Sequence, residues 1–312
     1  MSETQTQEIV VDDETALEVL RYGSGKPAAL LLAGVHGNEK TGPLVLEELS
    51  TQLQTTEVQG MVSILPVANP RAFVAYQRNH PEDGQDLNRC LPGGIALLDS
   101  PTGRLVSTIQ RLIKSHDLVI DIHGFPGQLA PIFGVALGDG SAVIRRKSEE
   151  LLMTFDPEVI WELDTRKTEP GKSGSACSYA LEQDIAAFGI ELPDPEHYSI
   201  DRQSRTQAGL LRVLIKLGAI TKAASESAWR SRALIPRYER RLLRAQERGT
   251  FVPRREIFES VAPGDVLGQL AREDGSIFLV NAEVAGVVLT IAPASQMEAG
   301  KKMLTIGIPI GH

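Results

Sequence analysis

Two short motifs carry the residue types of a metal site. His36-Gly37-Asn38-Glu39 follows directly on the apolar run from Ala28 to Val35, so an imidazole and a carboxylate stand three residues apart at the end of a buried strand. Asp117-Leu118-Val119-Ile120-Asp121-Ile122-His123-Gly124 repeats the arrangement, with a strand-like run, a histidine, and a glycine that lets the backbone turn away. His36, Glu39 and His123 together make a His₂Glu set. One zinc ion held by two imidazoles and a carboxylate keeps an open fourth position and lowers the pKa of a bound water to roughly 7. The set therefore predicts one zinc ion per chain and metal-assisted hydrolysis.

Other residues could serve such a reaction. Glu191 closes Ala187-Phe188-Gly189-Ile190-Glu191 at a third strand end, placed to take a proton from water and return it to a leaving amine. In Asp86-Leu87-Asn88-Arg89, an amide and a guanidinium stand side by side, and the planar fork of Arg89 matches a carboxylate with two parallel hydrogen bonds. Arg78, before the loop Asn79 to Gln85, could polarise a scissile carbonyl and stabilise the oxyanion. Taken singly, an HxxE pair arises by chance, a glutamate often caps a helix, and an arginine is commonly a surface ion pair. Their convergence in one chain sets them apart from such chance occurrences.

The elements that must position them alternate. Ala28 to Val35, Met61 to Val67, Leu118 to Ile122, Ile132 to Leu137, Val159 to Trp161 and Ala186 to Glu191 read as strands buried on both faces. Pro43 to Leu53, Pro101 to Ser115, Ser141 to Phe155, Ser175 to Gln183 and Arg205 to Leu217 read as helices between them. This predicts an α/β sheet flanked by helices, with ligands at the carboxyl ends of its strands. From Phe251 to Ile310, short apolar runs are punctuated by turn signals such as Pro263-Gly264-Asp265 and Glu273-Asp274-Gly275, predicting a small all-β unit. The expected organisation is a catalytic domain over 1–224, a helical linker over 225–249 and an all-β domain over 250–312.

The chain has 312 residues, and its formal charge of −8 argues against a nucleic-acid surface. The arginine-rich stretch from Arg230 to Arg248 is read as a solvated helix face. No apolar segment approaches the roughly 18 residues needed to span a bilayer, and no leader pattern opens the chain. The expectation is a cytoplasmic protein with a small-molecule substrate and without nucleic-acid or membrane partners, its oligomeric state left open. Cys90 and Cys177 lack the spacing of a redox or zinc pair and are expected as free thiols.

In this order, His36-Gly37-Asn38-Glu39, Asn69-Pro70, Arg78, Asp86-Leu87-Asn88-Arg89-Cys90-Leu91-Pro92-Gly93, Asp121-Ile122-His123-Gly124 and Ile190-Glu191 resemble the succinylglutamate desuccinylase/aspartoacylase family, which is similar to the zinc carboxypeptidases. The resemblance covers about residues 15 to 220. It implies a carboxypeptidase-like mixed sheet, zinc on His36, Glu39 and His123, Arg78 as the carbonyl-polarising residue, Asn88 and Arg89 as the substrate-carboxylate clamp, and Glu191 as general acid/base. It also implies a C-terminal barrel-sandwich domain like those of biotinyl and lipoyl carriers. Lys301-Lys302-Met303 is not an acceptor site, because the hairpin tip from Asn281 to Gly286, where such a lysine belongs, has none.

Two departures bear on specificity. Where the family places a further arginine for an acidic acyl group, this chain has Leu181, with Arg166, Lys167 and Lys172 only nearby. After Glu191, Leu192-Pro193-Asp194-Pro195-Glu196-His197-Tyr198 replaces the glycine-rich run of the diamine-deacetylating branch, and either His197 or Tyr198 could reach the site instead. The reading is a zinc-dependent hydrolase of a linear amide in a small, carboxylate-bearing N-acyl amino acid. The alternatives are a zinc carboxypeptidase acting on peptides and a catalytically idle binding protein of the same fold.

Overall fold

The computed structural model describes residues 4–92, 99–163, 174–221 and 234–311. Its frame is a mixed sheet of twelve strands in the order β1-β2-β4-β3-β5-β8-β6-β7-β9-β16-β14-β11. The centre is parallel: β3 (Ala28–Ala33) lies between β4 (Met61–Leu65) and β5 (Leu118–Phe125), and β8 (Ala186–Pro193) follows on β5. Every residue of β3 and β5 is buried, as their continuous apolar runs require of strands covered on both faces. Each fully buried leucine of β3 contributes about 1.5–3 kcal/mol over its exposed state.

Helices cover this centre. α1 (Thr41–Leu53), α4 (Pro101–Lys114), α5 (Ala142–Phe155), α6 (Ala176–Glu182) and α7 (Ile200–Leu217) bury one apolar stripe each, and α2 (Pro70–Val74) and α3 (Leu87–Cys90) are single turns in the loop after β4. α7 starts earlier than its apolar stripe predicts, because the side chain of Ser199 caps it on the amide of Arg202.

At one edge, β1 (Thr4–Asp12) and β2 (Thr15–Gly23) form an antiparallel hairpin that sequence reading left out. At the other, β6 (Phe133–Leu137) runs antiparallel to β8 and parallel to β7 (Val159–Leu163). Next comes β9 (Arg237–Arg244), and with it a correction: the segment expected as a helical linker over 225–249 is extended over these residues. Leucine, arginine and glutamate favour a helix weakly, but pairing with β7 on one side and β16 (Lys302–Pro309) on the other outweighs that preference. The arginines here are consequently on a strand, not on a solvated helix face.

β14 (Gly286–Ile291) and β11 (Ser260–Val261) complete the large sheet, while β10 (Gly249–Pro253), β12 (Val266–Ala271), β13 (Ile277–Asn281) and β15 (Ser295–Met297) form a second, four-stranded sheet. The two layers enclose a core of their own, including Phe251, Leu267, Val288, Leu304 and Ile306. A third cluster, Phe125, Phe133, Val159, Tyr238 and Leu289, joins this region to the central strands. Among the described residues, no helix is long and apolar enough to cross a membrane.

Candidate active site

The site lies past the carboxyl ends of β3, β5 and β8. After β3 the chain turns through Gly34, whose φ of +63° suits only glycine without strain, and passes so close to α2 that a Cβ on Gly37 would stand 1.9 Å from the carbonyl oxygen of Ala72. Buried Asn69 fastens the other side of this approach, capping α2 on the amide of Ala72 while its own amide bonds to the Gly34 carbonyl. His36 and Glu39 are thereby held over the sheet end. Thr41, at the start of α1, donates to the Pro193 carbonyl at 2.7 Å and ties this corner to β8.

His36, Glu39 and His123 converge, with one potential ligand atom from each within 4.8 Å of the others. Glu39 bridges the imidazoles: its Oε1 is 2.9 Å from Nδ1 of His36 and its Oε2 is 2.9 Å from Nδ1 of His123. The amide of Gly124 donates to the same Oε2 at 3.0 Å, using the turn after His123. On the far side of each ring stands a second carboxylate: Asp86 Oδ1 lies 3.1 Å from Nε2 of His36, and Asp121 Oδ2 lies 3.0 Å from Nε2 of His123. Such outer carboxylates hold an imidazole tautomer with its other nitrogen free for a metal. Nδ1 of His36 fits that state, being buried and close to Glu39 without an aligned hydrogen bond.

The electrostatics agree with a cation-seeking centre. Burial pulls His36 and His123 down, but Glu39 and Asp86 reverse this for His36, and Asp121 and Glu39 push His123 well above the ordinary histidine range. Burial pushes Glu39 up, yet the two imidazoles hold it well below the usual carboxylate range. In this arrangement protons on the rings balance the buried carboxylates; a divalent cation among the same nitrogen and oxygen donors would do so instead. Two imidazoles and one carboxylate are donors that suit zinc.

The loop after β4 supplies the remaining predicted residues. Nη1 of Arg78 lies 3.4 Å from Glu39 Oε1, and its Nη2 is held on Asp86 at 3.0 Å. Asp86 caps α3 through the amide of Asn88, and its carboxyl is driven far below the usual range: burial opposes this, but His36, Arg78 and Arg89 prevail. The Asn88 side chain stands 3.3 Å from Nε2 of His123 and accepts from the amide of Ala176, while Arg89 donates through Nη1 to the Gly174 carbonyl. Glu191 is the direct register partner of His123 across the β5–β8 ladder. All seven predicted site residues therefore gather at one end of the sheet.

Sequence reading missed the roles of Asp86 and Asp121, although both stood inside quoted motifs. Asp121 had a usable signal, since a carboxylate two residues before His123 on a strand shares its face. Tyr198 packs in the main core, and among the described residues neither it nor His197 has a hydrogen bond or ion pair with His36, Glu39 or His123. Cys90 and Cys177 are free thiols. Arg166, Lys167 and Lys172 lie outside the described residues.

Residues 25–217 match the succinylglutamate desuccinylase/aspartoacylase catalytic domain. Over 110 residues the chain is 38% identical to the N-alpha-acetyl-L-2,4-diaminobutyric acid deacetylase of Halomonas elongata, a stretch covering 34% of this chain and 30% of that relative. The chain thus matches under a third of that protein's length. Among solved structures, the product-bound ectoine utilization protein EutE (DoeB) of Ruegeria pomeroyi shares the fold with a TM-score of 0.80 at 22% identity, over 98% of this chain and 94% of that one. An aspartoacylase family protein of Mesorhizobium loti gives a TM-score of 0.78 at 23% identity, over 100% and 96% of the two chains. The likeness extends through the C-terminal β region as well as the central sheet.

Proposed function

Because the chain belongs to the succinylglutamate desuccinylase/aspartoacylase family, we propose that it hydrolyses the linear amide of a small N-acyl amino acid, with one zinc ion held by His36, Glu39 and His123. The observation that carries this reading is the convergence of those three side chains, two of them backed by Asp86 and Asp121, beside Glu191. When bound, zinc supplies a Lewis acid and an acidified water.

The chain's own residues do the rest. Glu191 receives the proton of the attacking water and delivers it to the leaving nitrogen, so the amine departs neutral. Arg78, oriented by its bonds to Asp86, donates to the carbonyl oxygen as charge develops there. Asn88 and Arg89 hold the substrate carboxylate and fix the amide relative to Glu191. The Halomonas deacetylase, whose name describes removal of an acetyl group from a diamino acid, supports amide cleavage next to an amino-acid carboxylate.

Protein purified without chelator should contain about one zinc per chain, lose activity on dialysis against a chelator and regain it on adding zinc. A panel of N-acyl amino acids should be hydrolysed in preference to short peptides. Peptide hydrolysis as the better reaction would favour a carboxypeptidase; metal-free protein inert on the whole panel would remove the hydrolase reading.

A further inference from the structure

The unit β6-α5-β7 runs against the centre of the sheet. β6 and β7 are parallel to each other and β6 is antiparallel to β8, so their carboxyl ends point away from the metal site. Ligands in α/β sheets settle at the carboxyl ends of strands, above all where the strand order reverses. This fold therefore has a second such end. Because Val135 lies opposite Gly189, β6 finishes level with Ala187, about 13 Å along β8 from Glu191 at roughly 3.3 Å per residue.

A crevice of about 390 Å³ opens there, within the range of roughly 300–1,000 Å³ usual for small-molecule sites. Ala136, Gly138 and Ala187 line it, and their small side chains leave the room that larger ones would fill. Buried Leu152 and Phe188 give it an apolar floor.

The charges of the crevice come from α5, β7 and β9. Arg145 and Glu149 stand one turn apart on the face of α5 that carries Leu152. Arg237 takes both Glu149 and Glu162, so two carboxylates share one guanidinium and leave a negative charge uncompensated. Exposed Glu239 adds a third carboxylate to the lining. Arg145 donates to the Gly140 carbonyl and makes no ion pair among the described residues. A guanidinium and a surplus of carboxylate thus face one space, a helical turn apart, over an apolar floor. Their complement is a free α-amino acid, which carries its carboxylate, ammonium and side chain on one carbon.

We propose that this crevice binds a free L-α-amino acid with an aliphatic side chain. Arg145 takes the carboxylate through its planar fork, Glu149 and Glu162 take the ammonium, and the side chain lies on Leu152 and Phe188. The site is separate from the Arg89 clamp beside the metal ligands and does not depend on amide cleavage. A carboxylic acid or an amine alone satisfies only half of the lining.

The test is calorimetric titration of the zinc-loaded protein with L-leucine, isocaproate and isopentylamine; the last two keep the side chain but lack the ammonium or the carboxylate. Leucine should bind about tenfold more tightly than either. Arg145→Gln and Glu149→Gln should each weaken leucine by about tenfold, and Arg145→Lys should regain part of the loss. Arg89→Gln should leave this binding unchanged. The proposal is overturned if the parent does not bind leucine or binds isocaproate equally well. It is also overturned if Arg89→Gln abolishes leucine binding while Arg145→Gln does not, which would place leucine at the metal site. If leucine binds as expected while no N-acyl amino acid is cleaved, the hydrolase reading fails and the crevice stands. Should Arg145→Gln not fold, Glu149→Gln carries the comparison.

Discussion

Strands β3, β5 and β8 run parallel through the middle of the sheet, and the side chains of the proposed site stand at or just past their carboxyl ends. Strands β9 and β16 run antiparallel to each other, and Arg240 and Lys302 project from within or at the start of them. In the first region, helix-covered strands stop where chemistry begins, and the backbone itself supplies donors such as the amide of Gly124. In the second, side chains alone reach across an aromatic wall. Metal ligation needs narrowly fixed geometry, which rigid strand ends provide. The central region should therefore govern rate and metal content, with the C-terminal strands acting through packing against it.

The largest effect that could break this division is at Glu191. Glu191→Gln should leave zinc content unchanged and lower kcat by a factor on the order of 10² to 10⁴. Near-normal turnover would remove the proton-transfer role from the central strands.

A second prediction concerns stability. Five of the six histidines lie before residue 200. His116, below β5, is buried against Ser63 and the Leu112 carbonyl, and burial pulls it down to about 4. Its folded value lies below its unfolded one, so the unfolded chain binds the extra proton between pH 6.5 and 4. The stability it confers is intact above pH 6.5 and lost as pH falls, reaching about 3 kcal/mol near pH 4 at roughly 1.4 kcal/mol per unit. In denaturant titrations across that window, His116→Asn should flatten the acid side of the profile by this amount. Identical slopes in the two proteins would place the acid sensitivity elsewhere.

Smaller effects sharpen the division. Asp121→Asn should weaken zinc affinity by about 10- to 100-fold, the usual cost of losing an outer carboxylate, as measured by chelator competition. Arg89→Lys should raise KM about tenfold, because a point charge cannot reproduce the fork, while Arg78→Lys should act mainly on kcat. Were both arginine variants to change the same kinetic constant, the clamp and the oxyanion donor would not be separate functions.

The two regions were also unequally readable. His36, His123 and Glu191 each close an apolar run, and Glu39 follows three residues after His36, so the positions that meet at the sheet end were legible in short stretches of chain. The β1–β2 hairpin hid in a polar segment, although buried Leu17 and Val19 flanking exposed Glu18 already alternate with the period of a strand. Arg240 could not be picked out. It lies in Glu239-Arg240-Arg241-Leu242-Leu243-Arg244, where local preference says helix, and only partners far away in the chain make it a strand. It stacks on Trp161 where Arg237 and Arg241 make direct ion pairs, which is a property of three-dimensional neighbours.

The stacking of Arg240 on Trp161 also has an optical side. The chain contains two tryptophans, Trp161 and Trp229, so Trp229→Phe leaves a single indole, the one beneath the guanidinium. A cation held over that ring sets the local field its excited state experiences, and any movement of Arg240 off the ring would alter it. The intrinsic fluorescence of the single-tryptophan protein then reports in real time whether β9 stays seated against β7.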